Sequence, residues 1–388
     1  MTFVLFGATG DLAQRKIMPA LCSLFLRKGI GDGVHIVAWS RRPWSDDEYR
    51  AFIRPSLAAF APGEVALFLE RVSYSEGTFD DASAFLAFKE KVASEDVVYH
   101  LAVRPEFYPI IVDRLREADL KGKLLIEKPF GHDYASAQAL ERTLEKCFAP
   151  EQIYRVDHYL GKEGLDAVLS ARRQNADFEK SLTKEQVAQI TCRIEESLDI
   201  HGRGEFYDSI GAFRDVGQSH LLLMLATVLM DLPTGDADVS GRRAAALALL
   251  SPDTSGLLVR GQYEGYTSEE GVLADSQTET YFKISARSST PRWQDVTLVL
   301  EAGKALKQKK TEIEVHYQDG THKLFNIEVP RTRDAYEVLI EAALAGDRSR
   351  FVGTDEMVGS WRFADAATLL LRETPLRTYQ KGSDGPTL

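Results

Sequence analysis

The chain has 388 residues, more than one compact core usually holds, so two domains are expected. Hydrophobic residues at 44% and charged residues at 27% exclude wholesale disorder. With 58 Asp+Glu against 47 Lys+Arg the formal charge is -11, which argues against nucleic-acid partners but leaves room for a local basic pocket. Cys22, Cys147 and Cys192 are widely spaced, with neither disulfide nor zinc spacing, so a reducing compartment is expected. The longest apolar run, Leu221 to Met230, is half the ~20 residues that span a bilayer. No basic leader precedes the strand-like Thr2 to Phe6, so the expectation is a cytoplasmic protein without a signal peptide or membrane partner.

In chain order, Phe3 to Phe6 reads as a strand, followed by a Gly-rich turn and a helix from about Asp11 to Lys28. Val34 to Trp39 is the next strand, Asp46 to Ala59 a helix, and Asp96 to Ala102 and Lys123 to Glu127 are further buried strands. Strands alternating with helices predict a Rossmann-like, doubly wound parallel sheet over 1–152. Beyond that, Gly161 to Arg173 and Gly211 to Met230 have helical apolar spacing. Val187 to Glu196, Gly256 to Tyr266, Thr278 to Arg287, Val296 to Ala302, Thr311 to Gln318 and Lys323 to Val329 alternate as strands do. All but the first follow one another, which predicts an α+β domain over 153–388 with a large, mainly antiparallel sheet. Asp334 to Ala345 and Glu356 to Arg372 are helical again, and the tail after Tyr379 is expected to fray.

The first strand runs into Gly7-Ala8-Thr9-Gly10-Asp11-Leu12-Ala13. Gly7 permits a sharp turn, Gly10 lets a pyrophosphate approach the backbone, and Ala13 lets helix and strand pack closely. The helix N-terminus then offers N–H groups and a positive dipole end to phosphate. A coenzyme site is therefore placed at this loop, with Gly7, Gly10, Asp11 and Leu12. An NAD-selective domain carries Asp or Glu at the end of the second strand; here stand Arg41 and Arg42. Guanidiniums suit a 2′-phosphate, so NADP is preferred, with NAD as the alternative. Two solvated loop arginines are the plainer reading.

Tyr154-Arg155-Val156-Asp157-His158-Tyr159-Leu160-Gly161-Lys162 gathers an acid, an imidazole, a phenol and an ammonium at a strand-to-helix junction. Oxidation of an alcohol by hydride transfer needs a base, and an imidazole held by a carboxylate suits that near neutral pH. His158 and Lys162 could also hold a phosphorylated substrate. His220 lies on an apolar helix, where a histidine is more often a core residue than a catalyst. Lys304 and the basic run Lys307 to Lys310 are equally compatible with solvated charge.

Taken together, GATGDLAQRKIMPAL (from Gly7), IEKPFGHD (from Ile126), YRVDHYLGKE (from Tyr154) and FYDSIGAFRDVGQSHLL (from Phe206) resemble the glucose-6-phosphate dehydrogenase family. The resemblance implies an NADP-dependent oxidoreductase of glucose metabolism and the pentose phosphate pathway. It would oxidise C1 of glucose 6-phosphate to the 6-phospho-1,5-lactone with hydride transfer to NADP, as a homodimer; no metal-ligand cluster stands out in the sequence, so no metal is expected. It implies that His220 is the general base, that Asp157 pairs with it, and that Lys128 and Pro129 lie between substrate and nicotinamide. His158, Tyr159 and Lys162 would grip the phosphate. Glu196 and Asp215 would bind sugar hydroxyls, Lys304 and Lys309 would join the substrate site, and Thr9, Lys16 and Arg41 would hold coenzyme phosphates. The chain is shorter than typical members, with the shortening after Val329, and reads Gln218-Ser219-His220 where the family usually has Gln-Asn-His. Rival readings are a dehydrogenase of the same fold acting on another hexose or amino sugar, and a catalytically silent NADP-binding sensor.

Overall fold

The computed structural model describes residues 1–27, 33–92, 96–233, 238–330 and 332–387. Lys28, the expected end of the first helix, lies outside them. The chain divides into two compact units. The first comprises Met1–Gly131, Ala135–Gly161 and Thr332–Thr354, and the second comprises His132–Tyr134, Lys162–Arg331 and Asp355–Leu388. This division differs from a boundary at 152/153, because strand 153–156 completes the first sheet and the late segment 332–354 returns to it.

Six parallel strands form the first unit: β1 (Thr2–Phe6), β2 (His35–Ser40), β3 (Val72–Glu76), β4 (Val97–Leu101), β5 (Lys123–Glu127) and β6 (Ile153–Val156), in the order β3-β2-β1-β4-β5-β6. β1 and β4 are buried along their whole length, which explains unbroken apolar runs rather than alternation. A wide, π-helical turn (Ala13–Ile17) leads into α1 (Met18–Leu26). The helix expected to reach Ala59 is α2 (Asp46–Ile53), followed by a 3₁₀ turn over Arg54–Leu57 that contains Pro55. Ser45 and Glu48 close a capping box at the start of α2. Further helices are α3 (Pro62–Leu69), α4 (Ala82–Lys91), α5 (Tyr108–Glu117) and α6 (Tyr134–Leu144). Leu339 and Ile340 share the core of Phe3 and Leu5, and this shared burial brings the late segment into the first unit.

The second unit contains α7 (Glu163–Gln174), α8 (Ala176–Ser181), β7 (Val187–Glu195), α9 (Gly204–Ala212), α10 (Leu222–Leu229) and α11 (Val239–Ala248). Its other strands are β8 (Leu250–Pro252), β9 (Leu258–Tyr263), β10 (Tyr281–Ser288), β11 (Thr297–Gly303), β12 (Lys310–Tyr317), β13 (His322–Asn326) and β14 (Leu376–Tyr379). α12 (Ala335–Ala345) belongs to the first unit, and α13 (Thr354–Glu373), past its first residue, to the second. The sheet runs β13-β12-β7-β11-β10-β9-β14, with β8 beside β10. It is antiparallel except for the β7–β11 and β9–β14 pairs. The expected helix from Gly211 starts at Phe213, because Gly211 has φ 72° and breaks the chain's helical path. The tail after Tyr379 is not frayed. The Gly382 N–H donates to the Ala305 carbonyl at 2.7 Å and the Lys307 N–H to Ser383 at 2.9 Å. Lys381 also pairs with Asp199 at 2.8 Å.

Arg155, on β6, is wholly buried and pairs with Glu141, while Thr354 accepts from the same guanidinium at 3.0 Å. A buried guanidinium stripped of its carboxylate is left uncompensated. Glu141→Ala is expected to lower unfolding free energy by about 3–5 kcal/mol, read from urea melts. A loss within melt-to-melt scatter would show that the pair does not hold β6.

Candidate active site

In the first unit the glycine turn is fixed from both sides. The N–H groups of Gly7 and Ala8 donate to the Trp39 carbonyl at 3.2 and 3.1 Å, and Gly10 closes back on Gly7 at 2.9 Å. Gly7 has φ 79°, and a Cβ there would stand 2.4 Å from the Ala102 carbonyl oxygen, so no side chain fits. The turn opens onto a cleft of about 460 Å³ lined by Thr9, Arg41, Thr78, Phe79, Arg104 and Phe107, among others. Thr9 and Ser40 share a hydrogen bond at 3.1 Å across its floor. Of the two arginines after β2, Arg41 lines the cleft. Arg42 lies over the Trp44 ring at 4.7 Å. A tight glycine turn at the head of a helical segment, opening onto a cleft with a guanidinium in its wall, fits a dinucleotide with a phosphorylated ribose.

Asp11 and Lys16 are turned to other partners. The Asp11 carboxylate pairs with Arg15 at 2.9 Å, which leaves its backbone as its contribution to the loop. Lys16 pairs with Asp334 at 3.0 Å. Leu12 packs against the core. Thr78, Phe79, Arg104 and Phe107 were not foreseen. They follow β3 and β4, and β3 reads Val-Ser-Tyr-Ser-Glu, too polar to stand out as a strand.

β5 delivers Lys128 and Pro129. Just before them Glu127 is held by three groups: His100 Nε2 at 2.8 Å and the Tyr336 hydroxyl at 3.2 Å meet its carboxylate, and the Tyr108 hydroxyl donates to its carbonyl at 2.9 Å. Burial and the neighbouring Glu127 carboxylate push the Tyr336 phenol far above its usual range, so it stays a donor. Asp157 follows directly on β6 and is 1% exposed. Its carboxylate accepts the Tyr159 N–H at 2.9 Å and shapes the 3₁₀ turn His158–Gly161. The His158 and Tyr159 rings meet edge to face at 4.9 Å.

In the second unit Lys304 is 4% exposed. Its ammonium pairs with Glu196, lies 3.7 Å from Asp215 and sits 5.2 Å over the Tyr207 ring. Three predicted substrate residues are thus one cluster. Tyr207, whose hydroxyl is buried without a hydrogen-bond partner, is an unforeseen member. Asp215 and His220 ride the same π-helical segment, Phe213–Leu221. Its start is held by Glu279, which accepts the Ala212 N–H at its carbonyl (2.9 Å) and the Phe213 N–H at its carboxylate (3.0 Å). Farther along, Gln218 donates to Ser360 at 2.9 Å. His220 is 2% exposed, so its ring is held out of bulk water. Lys162 and Lys309 share a second carboxylate, Glu328.

A parallel sheet with a phosphate-cradling first turn, carried with a second α+β unit, defines a dinucleotide-dependent oxidoreductase. The family model "Glucose-6-phosphate dehydrogenase, NAD binding domain" matches residues 4–166. The model "Glucose-6-phosphate dehydrogenase, C-terminal domain" matches residues 169–333 and 326–388. The chain belongs to the glucose-6-phosphate dehydrogenase family. It is 30% identical to glucose-6-phosphate 1-dehydrogenase of Bacillus subtilis, over 99% of this chain and 94% of that protein. It is 29% identical to the cytoplasmic isoform of Solanum tuberosum, over 100% and 89%. The crystal structure of the Mycobacterium avium enzyme superposes with TM-score 0.89 at 30% identity, covering 99% of this chain and 94% of that one. A glucose-6-phosphate dehydrogenase in complex with its substrate superposes with TM-score 0.91 at 27% identity, covering 99% and 95%.

Arg41→Ala is expected to weaken NADP about 10–100-fold in Kd while NAD changes little, measured by fluorescence titration with each coenzyme. Parallel weakening of both would contradict the 2′-phosphate assignment.

Proposed function

We propose that this chain oxidises C1 of glucose 6-phosphate to the 6-phospho-1,5-lactone with NADP. The cluster of Lys304, Glu196 and Asp215 carries the reading, because it sets fixed charges and acceptors for sugar hydroxyls beside the segment that bears a buried imidazole. Family membership supports it.

His220 takes the C1 hydroxyl proton, and Asp157 steadies the imidazolium that forms. A bound nicotinamide coenzyme would supply the hydride acceptor for C1. Gly7, Thr9, Gly10 and Arg41 would hold it together with the backbone of Asp11 and Leu12, Lys16 would join them on giving up Asp334, and Lys128 and Pro129 would set the edge of the reacting centre. His158, Tyr159, Lys162 and Lys309 hold the phosphate, and Glu196, Asp215 and Lys304 orient the ring. Fixing the sugar at both ends converts binding into orientation of C1, where a small displacement is costly in rate.

We also assign the working form as a homodimer in the cytoplasm. The broad second sheet offers a face for pairing, and no helix among the described residues is long and apolar enough to cross a membrane. All three cysteines are thiols, and burial pushes those of Cys22 and Cys147 up to about 12 and about 11.

Reduced-nicotinamide absorbance is expected to grow with NADP and glucose 6-phosphate. His220→Asn should lower kcat by about 10²–10⁴-fold while NADP affinity stays nearly intact. No turnover of any phosphorylated sugar would remove the proposal, and equal losses of rate and affinity would make His220 structural.

A further inference from the structure

Lys162 is 3% exposed and heads α7, where no side chain caps the helix start. Its ammonium pairs with Glu328. The other oxygen of that carboxylate lies 3.7 Å from Lys309, an exposed lysine. Two cations assigned to the substrate's phosphate are therefore bridged by one carboxylate of the chain itself.

The backbone beneath Glu328 is pinned. The Ile327 N–H donates to Thr311 at 2.8 Å, and the Glu328 N–H donates to Asn326 Oδ1 at 3.0 Å. A Cβ on Gly164 would stand 2.4 Å from Ile327 Cα, so the first turn of α7 lies directly against this stretch. The Glu328 side chain, by contrast, is 25% exposed and has a route to water. A fixed backbone carrying a side chain that reaches solvent can give up its partners without disturbing the fold.

We propose that Glu328 is a resident counter-ion that the substrate's phosphate displaces, and that it sets the enzyme's preference for a phosphorylated over an unphosphorylated sugar. Without substrate, a buried ammonium lacking an anion would be costly. With substrate, a dianion meets two lysines, and the Glu328 carboxylate turns to water because like charges repel. An uncharged hydroxymethyl group cannot displace it and gains nothing from the lysines. The carboxylate therefore holds phosphate affinity in check while keeping the empty site neutralised.

This assignment rests on the reading of Lys162 and Lys309 as phosphate ligands, so the test separates binding from turnover. Inorganic phosphate is titrated calorimetrically into the full chain and into Glu328→Gln. Phosphate is expected to bind the variant roughly tenfold more tightly. It should also raise the variant's Tm more than the parent's, as a ligand that restores a missing counter-charge must. In kinetics, KM for glucose 6-phosphate should fall by a similar factor while kcat/KM for glucose is unchanged. Glu328→Asp, which keeps the charge on a shorter stem, should fall between and serves if the Gln variant does not fold. Unchanged or weaker phosphate binding in the variants overturns the proposal, as does an equal gain for glucose. Tighter phosphate binding in a chain whose parent does not oxidise glucose 6-phosphate would uphold the counter-ion and remove the substrate assignment alone.

Discussion

An ammonium group removed from water is tolerable only beside a negative charge, and the second unit is arranged around two such groups. Lys162 and Lys304 are almost fully buried. Each has a carboxylate in contact, Glu328 for one and Glu196 for the other. The elements that carry these partners must then meet accurately. Lys304 follows β11, Glu196 follows β7, and the parallel pairing of those strands puts Gly303 opposite Glu195. Asp215 arrives on a helical segment whose start Glu279 fixes. Buried charge of this kind contributes little net stability. Its gain is placement: ammonium groups already fixed in position when a polar ligand enters.

The first unit answers a different constraint. A pyrophosphate can reach main-chain N–H groups only where no side chain intervenes. Gly7 lets the turn pack against the Ala102 carbonyl, where no Cβ would fit, and so sets where the following helical segment starts. The turn, the neighbouring strand ends and the guanidinium of Arg41 form one cleft, and the residues after β3 and β4 complete its wall.

What the sequence revealed follows from how local each signal is. The glycine turn and the buried strands β1, β4 and β5 are contiguous patterns, and they were legible. β3 was not, because Ser73, Ser75 and Glu76 dilute an edge strand that burial of Val72 and Tyr74 holds in place. β14 and the tail are ordered by partners far earlier in the chain, such as the β9 pairing and the Ala305 carbonyl, which no window on the sequence can show. The choice of Arg41 over Arg42 required the Trp44 ring that draws Arg42 aside. The role of Lys304 came through family likeness and that of Lys162 also from its neighbours Asp157 and His158, whereas Glu328, the partner of Lys162, carried no motif and emerged only from folded proximity. The two matches to the C-terminal family model overlap at 326–333, and the alignment with the Bacillus subtilis relative extends over 462 positions. Relatives therefore carry residues that this chain of 388 lacks, which accords with the shortening placed after Val329.

The central claim is that the bond broken is the C1–H bond of a sugar phosphate. The most direct measurement supplies glucose 6-phosphate deuterated at C1 with NADP and examines the reduced coenzyme by mass spectrometry and NMR. The account predicts that the deuterium moves to nicotinamide C4 with each turnover. Reduced coenzyme without the label, or label retained in the sugar while coenzyme is reduced, would contradict it.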